Sequence, residues 1–486
     1  MYSPGGNGRL PRGAFMNPVV GDPSRAPDDV AGVDPPGLFG AVPAVLAMLR
    51  DSATIRARCA QVTAAVRAGE SALFAVDDSR LGAVAERIAA LTLQRFPTLA
   101  IPYHSRWRHF EAGGVDRKST MDERIAGRSQ AAQARSRIDL ALVSVLLDAG
   151  AGPQWRYQES ETGLTLARSE GLGVASFRAF MAGEFSSEPG DLCRVDAKAL
   201  AAIDAAALAR IFQVDAGNPL VGLEGRAALL RRLAQALRDH PQVFGGEGGI
   251  TANRVYGDGQ PGQLFDALTH HRHAPQLRQH HPLPSSSRHQ IAAPRILRAL
   301  LDAFSAIWPS GQHITIDGQD HALGDAWRHP AAGADAGDSS AGWLPFHKLS
   351  QWLSYSLVEP FEWAGVTVSQ LDGLTGLPEY RNGGLLIDAG VVVPREPGWA
   401  ARSYTPADAW VIEWRALTVH LLDELAPLVR ERLAAAVPAE LADRARALPL
   451  ACLLEGGSWT AGRAIAAELR PGGPPPVSID SDGTVF

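Results

Sequence analysis

A chain of 486 residues with 46% hydrophobic and 20% charged residues can bury one large core or two smaller ones, which argues against intrinsic disorder. A formal net charge of -6 argues against a broad basic surface, although the 46 Lys and Arg could be concentrated locally, and a non-specific nucleic-acid binder is not expected. Cys59, Cys193 and Cys452 are odd in number and never form a CxxC pair. Neither a disulfide framework nor a cysteine zinc site is supported, and a reducing compartment fits.

Residues 1–37 are rich in Pro, Gly, Asn and Asp and lack apolar periodicity, so they read as a flexible N-terminal extension. They show no basic-then-apolar secretory pattern. No uncharged apolar run of about 18 residues, the length that crosses a bilayer, occurs anywhere. A cytoplasmic protein that does not span a membrane is expected. Over 42–67 and 79–93 apolar residues recur at spacings of three and four, the signature of amphipathic helices. Further helices are expected at 129–149, 197–212, 222–238 and 291–307, each Ala/Leu-rich and bounded by Gly, Pro or polar caps. The segment 241–290 reads as a loop-rich insertion in one large helical unit, 38–486, with sublobes 38–240 and 291–486. It carries His270, His271, His273, His280, His281 and His289, but no acidic residue lies among 270–289 and no HExxH spacing occurs. A solvated loop is expected there, and no metal site. A loop at 328–342 is expected to link two helical layers, and a helix over 344–359 to stop at Pro360. A glycine-punctuated loop at 372–384, a short strand at 390–393 and helices at 406–436 and 458–469 complete the chain. The expected fold class is mainly α, a multi-helix globular protein with a few short strands.

Four stretches carry side chains suited to chemistry. If 346–359 is helical, His347, Gln351 and Tyr355 form a polar ladder, with Lys348 and Trp352 in the adjacent row. A buried lysine there must find a carboxylate or a ligand; the plainer alternative is an amphipathic helix with a wet polar stripe. The glycine-rich stretch 371–384 supplies Asp372, Glu379, Tyr380, Arg381 and Asn382, which offer acid, base and hydrogen-bonding groups where a backbone can approach a ligand; the alternative is a structural turn. Around 104–111, His104, Arg106 and Arg108 would share one face of an extended segment and form a cationic comb for a phosphate. The alternative is an interior network of arginines and carboxylates. Finally, Glu455-Gly456-Gly457-Ser458 leads into a helix that Ser458 would cap, exposing N–H groups to an anion with Arg463 one turn in.

Together these stretches resemble the uracil-catabolism protein 4 family, long catalogued as a domain of unknown function. The resemblance rests on His104-Ser105-Arg106-Trp107-Arg108-His109-Phe110, Pro345-Phe346-His347-Lys348-Leu349-Ser350-Gln351-Trp352-Leu353, Leu374-Thr375-Gly376-Leu377-Pro378-Glu379-Tyr380-Arg381-Asn382-Gly383-Gly384 and Ser481-Asp482-Gly483-Thr484-Val485-Phe486, and covers the chain from about residue 40 onward. It implies a pathway in which uracil becomes a nucleotide, its ring is opened, and urea is released from a ribosylurea-type intermediate. A fainter resemblance links Lys348, Gln351, Thr375 and Glu379-Tyr380-Arg381 to the queuosine-salvage nucleotide hydrolases, helical proteins related in fold to DNA glycosylases. In that family an Asp stands where Glu379 matches. A further acidic residue of that family has no counterpart here, because the matching position is about Ser356; Glu359 or Asp372 could replace it.

These resemblances imply hydrolysis of the N-glycosidic bond of ribosylurea or its 5′-phosphate. Glu379, Lys348 and Asp372 are the catalytic candidates; His104, Arg106, Arg108, His347, Gln351, Trp352, Tyr380, Arg381 and Asn382 are the candidates for holding substrate. The implied partner is a small ribosyl or ribosyl-phosphate molecule, with other pathway enzymes as neighbours. No cofactor is expected, because the chain carries no GxGxxG, P-loop or metal-ligand motif. Two alternatives stand beside this expectation: metal-assisted ring opening or amide hydrolysis of a uracil nucleotide, and a non-catalytic protein that channels an intermediate.

Overall fold

The periodic segments fold as helices, and the breaks between them fall on caps. The structure, a computed structural model, describes residues 38–245, 259–269, 290–309 and 311–480. The N-terminal extension, the histidine-rich stretch 270–289 and the 481–486 motif lie outside the described residues. Instead of one helix over 42–67 there are two, Ala44–Leu49 and Ser52–Arg67. Asp51 leaves the helical region between them and accepts the Ala53 N–H at 2.8 Å as an N-cap. The stretch 197–212 divides in the same way, into Ala197–Ala202 and Ala205–Ile211, with Asp204 capping the second. Helices Leu81–Arg95, Gln130–Leu146, Leu223–Asp239 and Ala293–Phe304 stand where the apolar spacing predicts them.

Strands are short and paired in twos. Phe74–Val76 runs antiparallel to Val392–Pro394, Gln290–Ala292 parallel to Thr367–Ser369, and Ser403–Tyr404 parallel to Ser478–Ile479. Among the described residues no sheet exceeds two strands, and the fold is mainly α. The first of these pairings joins 38–240 to 291–486, and helices Ser52–Arg67 and Leu81–Arg95 pack on Ala409–Ala436, so the two stretches share one core. The segment 328–342 does not link helical layers. It connects Ala326–Arg328 to Trp343–Pro345 as a hairpin. No described helix is long and apolar enough to cross a membrane.

The central helix departs from expectation at both ends. It runs Lys348–Trp363, straight through Pro360. A proline there has no N–H for the Ser356 carbonyl, which normally ends or kinks a helix. Here the Trp107 indole N–H donates to that carbonyl at 2.9 Å, so the acceptor is satisfied from outside and the helix continues. At the other end, Trp343–Pro345 is a strand, and His347 takes a left-handed conformation, φ 48°, that turns the chain into the helix. Residues 349–361 are buried on every side, with Gln130–Leu146 and Ala293–Phe304 packed along them. The helix is the rod of the core and has no wet face.

Candidate functional site

Asp325 positions the start of the central helix. Its backbone carbonyl accepts the Phe346 and His347 N–H groups at 3.0 Å each. Its carboxylate accepts the Lys348 N–H at 2.9 Å, the Trp327 indole at 2.7 Å and both Arg415 terminal nitrogens at 2.8 and 2.6 Å. Burial pushes this carboxyl up, but the Arg415 guanidinium and the converging donors outweigh burial and hold it at about 2. His347 lies outside the ladder expected for it. Its Nε2–H donates to the Leu49 carbonyl at 3.0 Å, and burial lowers its pKa to about 4, so the ring is a neutral structural pin.

Lys348 is partly buried. Burial lowers its pKa, and Glu379 is the strongest charge acting the other way, followed by Asp148 and Asp325. Glu379 is the N-cap of helix Tyr380–Asp388, so the second half of the loop expected at 372–384 is a helical turn. Its two carboxylate oxygens accept the Arg381 N–H at 2.7 Å and the Asn382 N–H at 2.6 Å. The carboxylate is thereby fixed in orientation at the positive end of a helix and keeps further lone pairs for another partner. The Asn382 amide is engaged at both ends within the fold, donating to the Leu377 carbonyl at 3.3 Å and accepting from Ser458 Oγ at 2.8 Å. Asp372 is a surface latch, accepting from the Leu450 N–H at 2.7 Å and from Arg430 at 2.6 Å.

Gln351 and Tyr355 clamp one residue of the facing loop. Gln351 Oε1 accepts the Thr375 N–H at 3.2 Å and the Tyr355 hydroxyl donates to the Thr375 carbonyl at 2.9 Å. The other end of the Gln351 amide, Nε2, is buried and finds no acceptor among the described residues; the same holds for Trp352 Nε1 and Arg106 Nη2. Residues 106–110 form a short helix, so His104, Arg106 and Arg108 make no extended comb. Arg106 is fully buried, paired with Asp148, donating to Ser144 Oγ at 2.6 Å and lying 5.5 Å from the Trp352 ring. Arg108 donates to Glu359 at 2.8 Å, and Glu359 also accepts from Ser105 Oγ at 2.6 Å. The interior network is therefore the alternative that this stretch adopts.

The stretch 450–469 is one continuous helical run. A turn of π-helix, Leu454–Ser458, joins Leu450–Leu453 to Trp459–Leu469, and Ser458 has helical backbone angles and caps nothing. Gly457 permits close packing, since a Cβ there would lie 2.4 Å from Thr92 Oγ1. The π-turn carries Glu455, whose carboxylate lies 2.9 Å from His104 Nδ1.

These contacts form a chain. Lys348 and Trp352 stand one helical turn apart, and Trp352 neighbours His104 at 6.5 Å between ring centroids. His104 neighbours Trp459 at 6.3 Å, and Arg463 covers Trp459 at 4.9 Å while pairing with Glu170 at 3.1 Å. Burial lowers the pKa of Arg381, Glu379 raises it, and the nearby charges of Arg463 and Arg168 lower it further. Tyr380 is pushed up by burial and then by Glu379, which keeps its hydroxyl protonated. Of two small cavities, one lies at the start of the central helix, lined by Trp308, Asp325, His347, Leu349 and Ser350, and the other is apolar beneath Ser458. Among the described residues no three His, Cys, Asp or Glu side chains gather as a metal site. Sequence reasoning missed Asp325 and Asp148, and assigned no role to Glu455. For Asp148 a signal existed, because an acid just beyond the C-terminus of helix Gln130–Leu146 opposes the helix dipole and calls for another partner.

Residues 48–486 match a family described as "Protein of unknown function (DUF1688)". The chain is 36% identical over 445 residues to "Uracil catabolism protein 4" of Lachancea kluyveri, covering 86% of this chain and 93% of that protein. It is 38% identical over 420 residues to "Protein urg3" of Schizosaccharomyces pombe, covering 85% and 92%. Matches of this length at this identity leave the assignment plain: the chain belongs to the DUF1688 family, the family of uracil catabolism protein 4.

Proposed function

We propose that this protein is an enzyme of uracil catabolism that hydrolyses the N-glycosidic bond of ribosylurea, or of its 5′-phosphate, and releases urea. The name of the Lachancea kluyveri relative supports the pathway. The observation that carries the reaction is the electrostatic coupling of Lys348 to Glu379, together with buried donors on the same helix that find no acceptor among the described residues. Breaking the bond from C1′ to nitrogen develops positive charge on the sugar, and a carboxylate locked by two backbone N–H groups is suited to stabilise it. Lys348, whose proton is loosened by burial, is suited to protonate the departing urea nitrogen. Gln351 Nε2 offers the donor that a urea carbonyl oxygen needs, Trp352 and Tyr380 offer walls for the sugar, and Arg381 with Arg463 suits a phosphate. This chemistry calls for no cofactor.

The test is free urea released from ribosylurea and from ribosylurea 5′-phosphate, with and without chelator, against Glu379→Gln. Release by the native protein, reduced about 100-fold or more in the variant, supports the reading. Loss of activity with chelator would point instead to metal-assisted chemistry. Urea release from neither compound would point to a non-catalytic partner that channels the intermediate.

A further inference from the structure

We infer that His104 and Glu455 form a base dyad that activates the attacking water. The inference rests on the N-glycosidase reading and supplies the group that reading lacks. A carboxylate oxygen only accepts, so the 2.9 Å contact requires His104 Nδ1 to carry the proton and donate it to Glu455 Oε2. In the neutral imidazole this leaves the lone pair on Nε2. Among the described residues no hydrogen bond to His104 Nε2 occurs, and the imidazole neighbours both Trp459 and Trp352, the latter one helical turn from Lys348.

The dyad is held rigidly. The His104 backbone N–H donates to the Ala451 carbonyl at 3.0 Å, so main chain and side chain both bind the same helical run. Glu455 is held in turn by Arg95, which donates to the Glu455 backbone carbonyl at 2.5 Å and approaches its carboxylate at 3.4 Å. A base within hydrogen-bond reach of a carboxylate that orients it is the arrangement by which an imidazole removes a proton on demand. In the step itself the water oxygen bonds to C1′ as His104 Nε2 takes one water proton. The bond from C1′ to nitrogen breaks, its electron pair passes to the urea nitrogen, and that nitrogen takes a proton from Lys348. The imidazolium and the lysine amine then exchange protons with solvent, leaving the free sugar and urea.

The experiment measures urea release by His104→Ala, His104→Gln and Glu455→Gln, with near-ultraviolet circular dichroism as the check on folding. Support is a fall of about 100-fold in kcat for both His104 variants. It also requires partial recovery of His104→Ala on adding imidazole, and a fall of about tenfold in kcat for Glu455→Gln with KM within about threefold of native. Recovery by imidazole is an effect that a merely structural histidine would not give. Folded His104 variants within about threefold of native activity overturn the dyad and leave the N-glycosidase reading standing; so does an Ala variant that imidazole leaves unchanged beside an unimpaired Glu455→Gln. A native protein that releases urea from neither substrate overturns the reading and the dyad together.

Discussion

Two buried polar assemblies in this protein follow opposite rules. At one, Arg117 gives Nε and Nη2 to the Glu159 carboxylate and Nη1 to the carbonyls of Phe110 and Ala112, while Glu159 also accepts from Arg178 and Thr162. Every nitrogen of that guanidinium has a partner. At the other, around Lys348 and Glu379, three buried donors, Gln351 Nε2, Trp352 Nε1 and Arg106 Nη2, have none among the described residues. Burial of charge is common to both, so burial does not mark a site; the second assembly differs in gathering several such donors, each with a desolvation cost of about 1–3 kcal/mol that a ligand can relieve.

The sharpest way to break this comparison is to remove one partner from each assembly. Glu159→Ala leaves Arg117 buried without its carboxylate, and a loss of about 3–5 kcal/mol is expected in guanidinium unfolding, with activity per folded molecule unchanged. Lys348→Met should do the reverse, lowering urea release by about 100-fold while the unfolding free energy stays within about 1 kcal/mol of native. Equal stability losses in both variants would erase the distinction. Acid titration sharpens it further through Asp325, a structural carboxylate at the edge of the site. Its folded pKa, about 2, lies below the ordinary value of 3.8. The stability it contributes is therefore complete above about pH 4 and is lost as pH falls toward 2, a change of about 2 kcal/mol that Asp325→Asn should remove from the pH profile. The smallest effect is expected for Trp107→Phe, which keeps the ring but withdraws the indole N–H from the Ser356 carbonyl; about 1 kcal/mol should be lost in thermal unfolding.

Much of the fold was legible because helices announce themselves through a local period. Gln130–Leu146 and Leu223–Asp239 needed nothing but their own residues. The failures came where a distant residue supplies what a local rule says is missing. Pro360 reads as a stop until Trp107, 253 positions earlier, caps the carbonyl it orphans. His347 reads as the first rung of a helical ladder until Asp325 and Leu49 are seen to hold it in a left-handed turn. At the site, Lys348, Gln351, Trp352 and Glu379 stood out in the sequence as residue types, yet their relation did not, since it depends on the fold bringing the N-cap of one helix within electrostatic reach of the start of another. Asp325 lies in the short connection between two hairpins, and its partner Arg415 lies 90 residues away, so no pattern within reach of a sequence window could have revealed it.

The indole that bridges Trp107 to the carbonyl before Pro360 ties two segments into one exchange unit. The His104 to Phe110 segment and the middle of the central helix share that bond, together with the Arg106 N–H to Ser356 Oγ at 2.9 Å, so opening either one breaks contacts of the other. Their amides should trade protium for deuterium together and late, as one cooperative block in which the loss of protection at 352–356 reports opening at 104–110.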